Sequence, residues 1–507
     1  MVYVDFSPLK CGLISLVLFL IVKFIRAYSE KSRLRLIPTV GPDGILTSYI
    51  TVFKWISNAN EVVNEGYRLY PGGLFKIPTL NGWEVVISGR ELLNDLRGAS
   101  DQVLNPDIFT EDALQAYYTM HPNVMKSSYH TDVIRTTLTR NIGVCLQDTY
   151  DEVKVAMSEK VPLSDDWIDI PAFQTALEIV VRISNRFFVG LPLCRDPEFC
   201  DLNINFTSDV FYNALTINQF PKFLHPIVGR IFTSRRASLR KAVRLLKPMI
   251  EERLKLREKY EDDWPDKPND FIQWCIDAQQ YAPLSLRTSL EDLCVRVLFI
   301  NFAAVHATSA FTFALYNLAC HPELVDSLRQ EAEAAIEAEG WTKPALLKMR
   351  LLDSFLMESA RTTGPRANGL LRKAMQDFTF SNGMTVPRGT YLSVATGPML
   401  RDNTIFPDPE EFKPFRFAEK REKEGVSYKH QLVTPTSEWV LFGQGKHACP
   451  GRFFAGTTLK LLMAHVLLHY DVQFPNGSRE LPQNFKRNAD SAPDRSTKVM
   501  FRRRSRN

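Results

Sequence analysis

Residues 289–321 read as one long helix, and no other stretch restricts the fold so strongly. Between Ser289 and His321 there is neither glycine nor proline. Thr288-Ser289-Leu290-Glu291 has the form of a capping box at the start, and Pro322 is the stop. At 1.5 Å rise per residue such a helix spans roughly 45–50 Å, the width of a large domain. Its centre, Val297 to Val305, is apolar almost all round, which predicts burial. A buried helix of that length needs a large body around it. The 507 residues suffice, as one large helical enzyme or as two or more average domains. A content of 45% hydrophobic and 23% charged residues is that of a globular protein.

The N-terminus reads differently. Leu13 to Val22 is nearly all apolar, and with Lys10 and Lys23 snorkelling the stretch 6–25 is long enough to cross a bilayer. A cleaved signal peptide fits less well, because no small-x-small site follows and Asp5 interrupts a basic leader. Arg26, Lys31, Arg33 and Arg35 come next, so the positive-inside rule leaves the body on the cytosolic side. The organisation expected is an anchor over 1–26, a basic, proline-containing hinge over 27–45 and one body over 46–507. Within the body we expect a mixed part near 70–100, with a strand over Glu84–Ser88, and a helical middle over 110–365. A strand-and-loop part follows over 370–440, with a hairpin around Asn382-Gly383, and then a final helix with strands.

A net charge of +5 is too dilute for a nucleic-acid binder of this size. The eight cysteines form neither a disulfide framework nor a zinc pattern, so mostly buried thiols in a reducing compartment are expected. In a cytosolic body the sequons at Asn205 and Asn476 would stay unmodified.

One cysteine stands apart. Cys449 lies in Phe442-Gly443-Gln444-Gly445-Lys446-His447-Ala448-Cys449-Pro450-Gly451-Arg452, just before a helix-compatible run. Nearby cations and a helix N-terminus favour a thiolate. Gly445 and Gly451 would let the backbone fold tightly beneath a flat ligand, and Phe442 offers a ring to pack against it. A lone thiolate can bind haem iron axially and favour O–O cleavage. A second constellation is Glu358 with Arg361, three apart on a helix whose apolar stripe also carries Leu351 and Phe355. A carboxylate sharing an apolar face needs a partner. Arg361 is in reach, and Arg416, between Phe415 and Phe417, is the candidate third member.

Taken together, the anchor, proline hinge, long central helix, Glu-x-x-Arg helix, arginine-containing segment and cysteine loop resemble a cytochrome P-450, a haem-thiolate monooxygenase. The loop, with Tyr129-His130 upstream, is similar to fungal members of secondary metabolism such as the ent-kaurene-oxidase-like group. The resemblance implies a mainly α fold with small β-sheets and an N-terminal transmembrane anchor, single-pass in the endoplasmic reticulum membrane. It implies haem b with Cys449 as the axial iron ligand, and Glu358, Arg361 and Arg416 as a structural triad. Arg135, Arg372 and His447 would meet the haem carboxylates, helped by His130. The implied electron donor is NADPH through a separate flavin reductase, with cytochrome b5 as a further partner. Lys446 and Arg452 would belong to a basic docking surface for an acidic partner. The implied substrate is a lipophilic small molecule, a terpenoid or related secondary metabolite. Its pocket would be lined from 105–128, 205–225, Phe302, Ala303 and 367–371.

The distal segment departs from the family. It reads Ala303-Ala304-Val305-His306-Ala307-Thr308-Ser309. His306 replaces the family's acid and Ala307 its threonine, leaving Thr308 one position on. Histidine relays protons near neutral pH, so His306 and Thr308 are the candidates for proton delivery; a satisfied core histidine is the rival reading of His306. Ala307 also keeps open a haem-thiolate isomerase or dehydratase that needs no external electrons. A haem-binding sensor or carrier is a third reading, against which the room for an enclosed pocket argues.

Overall fold

In the computed structural model the stretch read as one helix is two, Leu290–Ala304 and Ala307–Cys320. Val305 and His306 keep helical dihedrals, but the Thr308 amide donates to the Val305 carbonyl at 3.0 Å, a three-residue step in place of four. Such tightening often marks a functional hinge or strain, and no glycine or proline announces it here. The start also shifts: Ser289 is the N-cap, and its hydroxyl accepts from the Asp292 amide at 3.2 Å, one residue later than the expected box. By length and mean hydropathy of 1.6 the span Leu290–Cys320 could cross a membrane, yet 56% of its most apolar part is buried within the protein, as in a core helix.

The structure describes residues 28–504 apart from 80–81, 262–263, 288, 365 and 426–428, together with 17, 21–22 and 24–25. The anchor expected over 6–25 therefore falls largely outside the described residues. The chain forms two units: Met1–Phe109 with Arg366–Met399 and Lys486–Asp490, and Thr110–Pro365 with Leu400–Phe485 and Ser491–Asn507.

The first unit is built on a five-stranded sheet. Leu74–Thr79 pairs antiparallel with Gly82–Ile87, the expected early strand. That strand runs parallel to Tyr391–Val394, with Glu84 opposite Tyr391. Gly369–Ala374 and the short edge strand Leu104–Asn105 complete the order. The helix Ser48–Leu69 buries Val52, Trp55, Val62 and Val63 beside Phe75 and Ile77 of the sheet. Lys76, almost fully buried, donates to the carbonyls of Leu34 and Ile37, and its own amide to Pro38, so the proline hinge is pinned to the sheet. The hairpin around Asn382-Gly383 forms as expected, with Phe378 opposite Val386.

The second unit is mainly helical. Phe311 to Cys320 packs among Val153, Ile179, Leu352, Phe355, Leu462 and Val466 in one core. The earlier piece, Leu293 to Phe302, packs among Phe188, Phe206, Leu246, Phe271 and Phe454 in another. Each such side chain contributes roughly 1.5–3 kcal/mol by leaving water. Lys498–Arg503 is the middle strand of a three-stranded sheet, with Phe501 opposite both Ile168 and Val472. Two helices, the short Thr396–Met399 and Arg416–Glu424, lie inside the part read as strand and loop.

Candidate active site

The Cys449 loop is a tight turn in front of the helix Arg452–His469. The Cys449 amide donates to the Phe442 carbonyl at 2.7 Å and closes it. Gly443 and Gly445 sit at φ +76° and +58°, and a Cβ on Gly443 would lie 2.9 Å from the His447 carbonyl oxygen, so that residue has to be glycine. Gly451 differs from expectation. It is the N-cap at φ −88°, which any residue adopts, and a Cβ there would meet nothing closer than Ile134 at 4.0 Å.

The free sulfur of Cys449 is half-buried. Burial pushes its pKa up, while the amides of Gly451 and Arg452 and the Arg452 guanidinium pull it down. Without a metal, then, burial outweighs the cations and helix terminus that the sequence suggested; a bound metal ion would deprotonate the thiol outright. Arg452 is half-buried and donates to the carbonyls of Val433 at 3.2 Å and Cys449 at 2.9 Å. Lys446 is exposed.

Glu358, Arg361 and Arg416 come together as expected. Both Glu358 and Arg361 are fully buried and pair through two hydrogen bonds of 2.8 Å. Arg416 reaches Glu358 at 3.3 Å. Arg361 also donates to the carbonyls of Leu400 and Pro409, and the Lys413 amide donates to Glu358. The cluster therefore fastens the irregular segment 400–416 to the helix Arg350–Thr362.

Sequence reasoning missed a second clamp on the same helix. Asp353 pairs with Lys460 and with Arg421, both at 2.6 Å, and accepts from the Leu432 amide at 3.0 Å. Burial alone would raise its pKa, but Lys460 and Arg421 hold it below the ordinary carboxylate range. Lys460 lies on the helix that follows Cys449, and Leu432 precedes the Val433 carbonyl that Arg452 grips. Asp353 thus braces the cysteine loop from two sides. A signal was present: Asp353, Ser354, Glu358 and Arg361 form a polar stripe at helical spacing along the helix. Asp353→Asn should cost about 3–5 kcal/mol by leaving two buried cations without a charge partner, read by urea unfolding.

Among the residues expected around the haem carboxylates, Arg135 lies on a π-helical turn, Ile134–Leu138, and donates to the Lys446 carbonyl at 3.4 Å, which places it beside the cysteine loop. His447 is half-buried within that loop. Arg372 belongs to the first unit, where it is buried on the strand Gly369–Ala374. His130 is buried with its Nδ1 2.8 Å from Arg296, which also binds Asp292 and the carbonyls of Ser127 and Asn123. Arginine can only donate, so Nδ1 accepts and Nε2 carries the proton.

Burial, with Arg296 adding to it, lowers the His130 pKa to about 3, and burial lowers His465 likewise. Unfolded, each titrates near 6.5. The unfolded chain therefore binds more protons between those values, and stability falls as pH drops below about 6.5. From pH 8 to pH 5 the loss should be about 2 kcal/mol per histidine. His130→Gln and His465→Gln should each flatten the measured slope of unfolding free energy against pH.

At the distal segment His306 is exposed, which removes the core-histidine reading. Its ring is edge-on to Phe211 at 6.1 Å and Phe302 at 5.8 Å. The Thr308 side chain is buried, and its hydroxyl makes no hydrogen bond with the described residues. His306 lies in the break between the helices, and Thr308 follows just after it.

The donor set fits haem. Among the described residues no cluster of three or more His, Cys, Asp or Glu could hold a bare metal ion. Cys449 supplies a sulfur met by two amides, with Arg135 and His447 nearby.

The sequence matches the family model described as Cytochrome P450 over residues 170–499. It is similar to Cytochrome P450 monooxygenase 103 of Postia placenta, 40% identical over 92% of this chain and 93% of that protein. It is also similar to Cytochrome P450 monooxygenase CYP512U6 of Ganoderma lucidum, 34% identical over 87% of each chain. Cytochrome P450 monooxygenase paxQ of Penicillium paxilli is 30% identical over 92% of each.

Proposed function

We propose that this chain, which belongs to the cytochrome P450 family and is a monooxygenase, inserts one oxygen atom of O2 into a C–H bond or alkene of a lipophilic terpenoid or related secondary metabolite. The observation that carries the reading is the Cys449 sulfur, presented at a helix N-terminus and met by the amides of Gly451 and Arg452. Haem b, when bound, supplies the redox iron at which O2 is activated. Cys449 would hold that iron, and the amides of Gly451 and Arg452 would temper the sulfur's charge. Arg135 and His447, beside the cysteine loop, would meet the haem carboxylates, with His130 donating from Nε2. His306, exposed beside Phe211 and Phe302, would take up protons from the medium, and the Thr308 hydroxyl would pass one inward.

Electrons come from NADPH through a flavin reductase, with cytochrome b5 as a further donor. Residues 6–25 hold the body on the cytosolic face of the endoplasmic reticulum membrane. Support for the anchor is that Val17, Ile21, Val22, Phe24 and Ile25 are helical and expose apolar side chains. Support for the substrate class is the apolar surround of the distal helix, including Phe211 and Phe302.

The test is product formation by the purified holoenzyme with a flavin reductase and a terpenoid panel, with and without NADPH. Oxygenated product only when NADPH is present is expected. Conversion of a hydroperoxide without electrons would replace this reading with the isomerase one.

A further inference from the structure

Three rings meet at the break in the central helix, and one of them belongs to another helix. Phe302 lies in the last turn before the break, and His306 lies within it. Phe211 comes from the helix Pro197–Asn218. The ring centres of Phe211 and Phe302 are 5.3 Å apart, those of Phe302 and His306 5.8 Å, and those of Phe211 and His306 6.1 Å. Both phenylalanines stand edge-on to the imidazole, at 73° and 81°. Each contact lies in the range of a favourable aromatic pair. The triangle is closed, so moving one ring disturbs its contacts with both others.

The rings differ in how they are held. Phe302 is buried in the core that also holds Phe206 and Val210 of the Pro197–Asn218 helix. His306 is exposed and sits where the regular helical hydrogen bonding is interrupted. An exposed side chain hops between rotamers within nanoseconds unless a neighbour restrains it. Phe211 closes the triangle from outside, and its helix is pinned on either side of it. Ser234 donates to Asp209, and Gln115 donates to Asn218 at 2.6 Å. Asn218 in turn donates to the Ala113 carbonyl at 2.9 Å. Gln115 is held at φ +49° and ψ +43°, a region few non-glycine residues occupy. Such a conformation persists only where surrounding contacts over-determine it.

We infer that Phe211 is a positioning residue: it holds the His306 imidazole at the helix break. The inference rests on the proposed reading of His306 and Thr308 as the route for protons. It makes that route depend on a second helix, so protons are delivered while the Pro197–Asn218 helix is seated. Phe211 itself moves no proton; it acts through His306.

Two readouts test this. The first is the Cε1–H NMR signal of His306 in the full-length, histidine-labelled protein, reduced and saturated with carbon monoxide. Loss of one of nine histidine signals in His306→Gln assigns it. Phe211→Ala should move the signal, because the ring current of an edge-on phenyl is lost, and Phe211→Tyr should restore it. A signal unmoved in Phe211→Ala overturns the inference. The second is oxygenated product formed per NADPH consumed by the holoenzyme. Phe211→Ala should lower it about two- to tenfold, the weight of one aromatic pair. Phe211→Tyr should recover most of the loss. In a His306→Gln background Phe211→Ala should add no further loss, since the contact is already gone. An equal loss in both backgrounds would make Phe211 only a wall of the substrate pocket, and the inference falls. A wild-type yield in His306→Gln alone would sink the proton route and the inference with it. The NMR signal tells that failure from the absence of the ring contact.

Discussion

Glu358→Ala should destabilise the second unit by about 3–5 kcal/mol and leave a protein that does not retain haem. The carboxylate is fully buried, and it is the charge partner of Arg361, itself fully buried, and of Arg416. Its removal strands one guanidinium away from water and weakens the hold on another. It also frees the Lys413 amide, and with it the segment whose carbonyls Arg361 grips at Leu400 and Pro409. Glu358→Gln keeps the volume and some hydrogen bonding but not the charge, so its cost should be smaller and still large. Urea unfolding of both variants measures the difference. A loss within 1 kcal/mol of wild type for Glu358→Ala would mean that segment 400–416 is held by other contacts.

Cys449→Ser should have the opposite signature, with the fold kept and the chemistry lost. The side chains are close in size, so the stability change should stay within the roughly 0.5–3 kcal/mol of ordinary substitutions. Cys449 is the proposed iron ligand, so the strongly red-shifted Soret band of the reduced, carbon monoxide-treated protein should vanish together with NADPH-dependent turnover. The two amides at the sulfur would still point at the serine oxygen, which is a harder and far less acidic donor. Persistence of the red-shifted band in Cys449→Ser would move the iron ligand elsewhere. With Glu358→Ala, the pair separates loss of the ligand from loss of the scaffold.

Much of the site was legible because it is local. The Cys449 loop is an eleven-residue pattern whose glycines answer to backbone geometry, and two of them, Gly443 and Gly445, do adopt positive φ. Glu358 and Arg361 are a helical i, i+3 pair, and their burial followed from the apolar stripe they share. Gly451 was misread because a glycine before a helix looks like a turn requirement until its dihedrals are seen. The central helix was misplaced by one residue at its cap and joined across a break, since propensity and periodicity continue smoothly through Val305 and His306 while the hydrogen bonding does not.

The sequence by itself determined the cysteine loop, the Glu-x-x-Arg pair, the early strand and hairpin and the helical character of the middle, because each depends on side chains a few positions apart. Only the tertiary structure decided what those pieces rest on. Arg421 reaches Asp353 across 68 positions, and Arg296 fixes His130 across 166. Spacing along the chain carries no record of such meetings. They arise because a buried charge must find a partner wherever packing brings one, and packing is a property of the whole unit.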